Sequence, residues 1–430
     1  MSSAFAASCL GAFQAAFSVL LTLGYGVFAA RMGMVDAGTA KNVSSLCVNM
    51  FLPALLITNV GSQIQPGNFT SYVPVFIWSI LYSVISLALG KLAQKVFKLP
   101  SWVGAACAFN NTTSLPLLLT QSLTTTGILR SIAGDDVSAA VERAQSFFLI
   151  NSMVSNAATF AIGPKILGND MKQEEDEDED ESEGDNDQQN GDNNDEDADE
   201  NSTLLPKPIT SRLAAVEETA SSQFGRLPVR VQKALSYVSS LLTPTLWGAI
   251  FAVVIGLTPP LQRALFAETQ DGGFLNAWLT SSLRNIGDLF TALQMFVVGS
   301  KLSDSLTPPK HLPSPNPPKK AVAAIFAIRF IFWGLVSIPL VYLVAAKTQL
   351  LDSDPMLWWS LMLMPIGPPA MILSSLAEVS GVGQHGKMMV ARTLAYFYVV
   401  TPIMSLAVVA ALKACEMILE ERKQRPGLVL

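Results

Sequence analysis

Histidine is almost missing from this sequence. Two occur in 430 residues, His311 and His385, and both fall where loops are expected. A zinc site or a histidine proton relay inside the apolar segments is therefore not expected. Cysteine is as scarce. Cys9, Cys47, Cys107 and Cys415 lie apart among apolar residues, with no CxxC pair and no ligand spacing, so they read as small buried side chains. No Gly-x-x-x-x-Gly-Lys-Ser/Thr stretch occurs, which excludes a phosphate-cradling loop of that kind. Paired carboxylates are missing from the apolar segments, which leaves a membrane enzyme little support. No basic n-region precedes the first apolar run, so no cleavable leader is expected, and "RPGLVL" at the end carries no sorting signal. Neither a cofactor, a metal nor a nucleic-acid partner is expected.

What is abundant is apolar surface. Half of the residues are hydrophobic and the mean hydropathy is +0.38. Many runs reach the roughly 20 residues that cross a bilayer. They are continuous rather than alternating, so helices are expected and a barrel is not. The net charge of −6 is misleading, because residues 171–200 hold 17 of the 34 acidic residues and one of the 28 basic ones. The rest of the chain has 27 basic and 17 acidic residues, a net +10 that suits a protein held in lipid with cationic cytoplasmic loops.

The hydropathy pattern predicts ten spans, near 11–31, 41–61, 71–90, 101–124 and 144–164, then near 243–259, 278–300, 321–346, 356–379 and 389–413. The chain divides accordingly. Residues 11–164 form a first group of five helices and 241–413 a second, with a tail at 414–430. Between the groups, 165–240 is read as a disordered loop, because its like charges repel and it has little apolar surface to bury. The loop is a solvated spacer in the first instance; as the rival function class, it recruits a cytoplasmic partner and the protein is a non-transporting membrane regulator. "RLPVRVQKALSYVSSLL" (226–242) reads as a basic amphipathic helix on the cytoplasmic leaflet, and the Pro-rich 306–320 as a stiff connector.

Basic residues set the orientation. With the N-terminus lumenal or extracellular, Lys91, Lys95, Lys98, Lys165, Arg226, Lys301, Lys319 and Lys320 all become cytoplasmic, as does the acidic loop. Both termini then face the other side. Five spans per group force the groups into opposite orientations, so two similar groups would be inverted repeats. "FLPALLITNVGS" (51–62) echoes "TALQMFVVGSKLS" (291–303) in support of a duplication.

The fourth span of each group is interrupted. "FNNTTSLPLLLTQSL" starts at Phe109 and "LMPIGPPAMILSSLA" at Leu363; aligned on Pro116 and Pro369, "PLLLTQSL" faces "PAMILSSL". Lipid offers no hydrogen bonds, so a break there must be shielded by protein or line a wet cavity. Pro116, Pro365, Gly367, Pro368 and Pro369 all oppose continuous helix. A proline kink explains either motif alone. Two at matched positions point to a site at the repeat interface near the midplane, where two half-helix N-termini cradle a carboxylate. The expected binding residues are Asn110, Asn111, Thr112, Pro116 and Gln121 at the first break, and Pro365, Gly367, Pro368, Pro369 and Ser375 at the second. Asn49 and Asn59 in span two and Gln294 in span seven are polar residues that would join them. Asp288 is the ionisable candidate for ion or proton coupling, with Arg284 one turn earlier available to neutralise it. Arg329 and Arg392 are expected near span ends or polar faces, snorkelling or paired.

At "FNNTTSLPL" (109–117), "GPPAMILSSLAEVSGVG" (367–383) and "FLPALLITNVG" (51–61) the chain resembles the auxin efflux carrier family, its PIN-like branch and fungal members in particular. The resemblance covers the ten spans and not the acidic loop. It implies an all-α polytopic membrane protein of two inverted five-helix repeats with crossed, broken helices four and nine, similar to the bile-acid/sodium symporter architecture. It implies a secondary transporter of a small amphipathic organic anion, an auxin-like carboxylate, working by elevator-type alternating access. Asn111 and Pro116 match the first crossover positions, Pro368 and Pro369 the second. A homodimer and a place in the endoplasmic reticulum membrane, or else the plasma membrane, are further implications. The doubled Asn110-Asn111 and "TTS" depart from the family's small, Gly-containing stretch.

Overall fold

The computed structural model describes residues 2–134, 136–180, 244–306, 316–374 and 384–424. The chain divides into two units, Met1–Lys172 with Thr243–Leu430, and Gln173–Leu242. Of the second unit the described residues, to Asp180, are helical. The segment 226–242, His311 and Ser375 with Glu378 lie outside the described residues.

The described part of the first unit is built from helices, and no sheet occurs among the described residues. Its helices are α1 (Ser2–Arg31), α2 (Ala37–Gln63), α3 (Val73–Phe97), α4 (Trp102–Ala108), α5 (Ser114–Thr126), α6 (Val137–Asp180), α7 (Pro244–Leu257), α8 (Pro259–Phe266), α9 (Ser281–Leu306), α10 (Lys319–Lys347), α11 (Pro355–Leu363), α12 (Gln384–Val399) and α13 (Met404–Gln424). Among the described residues five continuous helical stretches are long and apolar enough to cross a membrane: Phe5–Arg31, Ala37–Gln63, Thr70–Phe97, Lys319–Lys347 and Thr401–Gln424. The bent pair α7 and α8, at 102°, makes a sixth if it is one span. The other expected spans fall on helices that are interrupted (α4 with α5, and α11) or that carry charged residues along their length (α6, α9).

Several ends differ from the sequence reading, and proline chemistry accounts for two of them. The expected sixth span stops at Leu257 because Thr258 is extended and Pro259 opens a new helix, where its missing N–H costs nothing. The expected tenth span is two helices jointed at Thr401–Ile403, with Pro402 in the joint. Its first helix begins at Gln384, so His385 sits in a helix rather than a loop. The fifth span runs on to Asp180, into the acidic run.

Small residues set the closest helix contacts. α1 and α9 meet through Gly26 and Gly299, whose missing side chains let the backbones touch. A Cβ on Gly26 would lie 1.9 Å from the Phe296 carbonyl oxygen, and one on Gly299 would lie 1.9 Å from that of Leu23. α7 approaches α2 in a similar way, with Gly248 against Pro53 and Gly256 against Ile64. Large apolar side chains of α1, α3 and α10, among them Phe17, Phe28, Ile80, Val84 and Leu335, point outward, as lipid-facing residues do.

The buried interior is aromatic where α3, α10 and α11 meet. Trp333 stands edge-on to Trp78 and Tyr82, each at 6.0 Å between centroids. At the C-terminal side Arg422 is held by the Ala345 carbonyl (2.8 Å) and the Ser353 hydroxyl (2.8 Å) and stacks over Trp358, 4.7 Å from the ring centroid. Lys413 pairs with Glu416 at 2.5 Å. Two basic residues near the C-terminus are thus engaged within the fold.

Candidate functional site

The two interruptions are hydrogen-bonded to each other. Between α4 and α5 the chain is non-helical at Phe109–Thr113, extended at Phe109, and beyond α11 it is non-helical from Met364 to Ala370. The Ala370 N–H donates to the Phe109 carbonyl (3.0 Å), and the Asn111 N–H to that of Pro368 (3.1 Å). Asn110 and Pro369 thereby form an isolated antiparallel bridge. Two unwound segments, each without helical partners, supply some of each other's missing hydrogen bonds.

Local chemistry explains where each break starts and stops. Pro116 lies in the first turn of α5, where an N–H would have no helical acceptor in any case, so it starts a half-helix rather than kinking one. Pro365, Pro368 and Pro369 end α11 and remove three donors. Gly367 sits at φ +150°, and a Cβ there would lie 3.0 Å from Asn110 Oδ1, so both conformation and space call for glycine.

The carbonyls freed at the end of α11 are taken up one after another. Trp78 Nε1 donates to Leu361 (2.9 Å), the Ser337 hydroxyl to Met362 (2.7 Å), Asn110 Nδ2 to Met364 (2.8 Å) and Arg329 Nε to Gly367 (3.0 Å). Arg329 also reaches the other break, with Nη1 3.0 Å from the Cys107 carbonyl in the last turn of α4. This corrects the sequence reading. Arg329 is not near a span end but in a π-helical turn, Ala327–Phe332, within α10, and its exposure is 0%. It is the one charged residue among the fully buried described residues.

Asn111 ties the crossing to its neighbours. Its Nδ2 donates to Tyr398 Oη on α12 (2.7 Å), while its Oδ1 accepts from the Ser114 hydroxyl (3.3 Å) and the Leu115 N–H (3.4 Å) at the start of α5. Beside it opens a cavity of about 110 Å³. Asn110, Asn111, Thr112, Thr113, Ser114, Asn156 and Gln294 give it a polar lining; Val48, Leu52, Phe290, Val298, Met371 and Ile372 give it an apolar one. Among the described residues no carboxylate or basic side chain lines it. Asn110 Oδ1 and Gln294 Oε1 are buried without a hydrogen-bond partner among the described residues.

The expected site residues thus divide. Asn110, Asn111, Thr112 and Gln294 meet in the cavity, whereas Pro116, Pro365, Gly367, Pro368 and Pro369 shape the breaks without lining it. The others lie elsewhere. Gln121 accepts from the Thr291 hydroxyl (3.1 Å), Asn59 donates to Gln145 (3.3 Å), and Asn49 is exposed and donates to Ser45 (2.9 Å). Asp288 is exposed on α9 and forms no ion pair with Arg284 within the described residues. Arg329 in its actual role, Tyr398 and Phe290 were missed. A lone arginine eleven residues into an apolar span was a signal for the first; the others look like ordinary core.

Comparison with known proteins agrees with the helical architecture. A family profile described as "Membrane transport protein" matches residues 12–412. The chain is 25% identical over 399 residues to the uncharacterized transporter C5D6.04 of Schizosaccharomyces pombe, covering 85% of this chain and 86% of that protein. It is 22% identical over 394 residues to the uncharacterized transporter YBR287W of Saccharomyces cerevisiae, covering 86% and 87% respectively.

Proposed function

The chain belongs to the membrane transport protein family, that of the auxin efflux carriers, and from that premise we propose that it carries a small amphipathic organic anion across its membrane. The carrying observation is the cavity at the crossed breaks. Its amides and hydroxyls suit a carboxylate, and its apolar side suits an aromatic or aliphatic body. Charge favours an anion over a cation: among the described residues no acidic side chain lines the cavity, the N-terminus of α5 opens beside it, and Arg329 lies behind the crossing.

Matched helix packing supports two inverted repeats. α1 lies on α9 as α7 lies on α2, each with glycines at the closest approach, and the bridge between the breaks is antiparallel. In the proposed cycle the crossover helices shift against a scaffold of α1, α2, α7 and α9. The cavity of about 110 Å³ is small beside the roughly 300 Å³ or more of sites for drug-sized ligands, so an aryl carboxylate requires it to widen during the cycle. No nucleotide-binding loop occurs in the sequence, so gradients or the membrane potential supply the driving force.

Solid-supported-membrane electrophysiology on proteoliposomes tests this reading, with a panel of indole and aryl carboxylates beside the matching amines. The expected result is a saturable current with at least one carboxylate and none with its amine. Currents with the amines alone would reverse the assignment of charge.

A further inference from the structure

Arg329 presents an unusual arrangement. Its guanidinium is fully buried, forms no ion pair among the described residues, and is held by main-chain carbonyls through Nε and Nη1, while Nη2 has no hydrogen-bond partner among them. Those carbonyls come from different breaks, Cys107 at the C-terminal end of α4 and Gly367 beyond that of α11. The Cys107 carbonyl carries the negative end of the α4 dipole, and the Gly367 carbonyl belongs to unwound backbone with no helical donor. In transporters with discontinuous helices, unwound carbonyls and half-helix C-termini are what hold a coupling cation. A buried charge is tolerated only where such partners compensate it.

We propose that Arg329 is a tethered cation: its side chain fills, from α10, the place between the two breaks that a free monovalent cation would otherwise take. It is a positioning residue, acting through the backbones it joins, and it leaves the crossing closed to alkali ions. The inference rests on the transport reading only for its meaning in the cycle; the carbonyl geometry stands without it.

The test uses the purified full chain in detergent and reads thermal melting, so it needs no transport substrate. A result against the tethered cation is therefore separable from a failure to transport. A free site for sodium would raise the wild-type midpoint by a few degrees once sodium exceeds its Kd severalfold. The wild-type midpoint is expected to be the same in sodium chloride as in choline chloride of equal ionic strength. Arg329→Ala is expected to melt roughly 5–10 °C lower, and millimolar guanidinium, but not urea, should recover part of that loss. Arg329→Lys, which keeps the charge, should lie between the two and covers the case in which Arg329→Ala does not fold. A sodium-dependent rise in the wild type would overturn the proposal. So would Arg329→Ala melting as wild type, Arg329→Lys no more stable than Arg329→Ala, or a loss that guanidinium leaves unchanged.

Discussion

Asn111→Ala is expected to reduce anion flux at least about 100-fold while the protein still expresses and elutes as one species. The substitution removes the donor to Tyr398 and the acceptor for Ser114 and Leu115, and so separates α5 from α12 at the cavity wall. Each buried partner left unsatisfied costs about 1–3 kcal/mol, and two such losses make a factor of about 100. The fold itself survives, because the Asn111 N–H still bonds to Pro368, and Asn110 still bonds to Met364. Flux of the best panel anion, per reconstituted molecule, is the measurement; wild-type flux in the variant would remove Asn111 from the site.

The second large effect concerns the scaffold. In Gly299→Ala the new methyl meets the Leu23 carbonyl at 1.9 Å, a backbone atom that cannot rotate away. α1 and α9 must move apart, at a cost of about 3 kcal/mol or more. Gly26→Ala strikes the same interface from the other helix, at the Phe296 carbonyl. Each variant is expected to lower the melting midpoint by roughly 5 °C or more. The double variant should cost less than the sum, since the first substitution has already opened the contact the second needs. Additive losses would show that the two glycines report on separate contacts.

The breaks were legible in the sequence because proline and amide side chains are out of place in lipid. "FNNTTSLP" and "PIGPP" announce unpaired backbone by composition alone. That the two segments pair with each other was an expectation from the repeat, and the Asn110–Pro369 bridge is where they meet. Gln294 could be picked out as a polar residue in an apolar span. Asn49, Asn59 and Gln121 looked the same by that criterion, yet their partners are neighbouring side chains. Polarity marks a need for a partner without saying which partner.

Arg329 illustrates the opposite limit. Its acceptors are main-chain oxygens of Cys107 and Gly367, and neither residue type carries a trace of the contact. A sequence reveals pairs of charges; it does not reveal a charge paired with backbone. Tyr398 was hidden for a related reason, since its ring belongs to the core and only its hydroxyl touches Asn111.

The central claim is that the carried anion sits at the crossing. A cryo-electron-microscopy map of the protein with the carboxylate that gives the largest current tests it most directly. Density for that carboxylate is expected between Asn111, Thr112, Gln294 and Met371. An empty cavity there, with the carboxylate bound elsewhere on the chain, would contradict it.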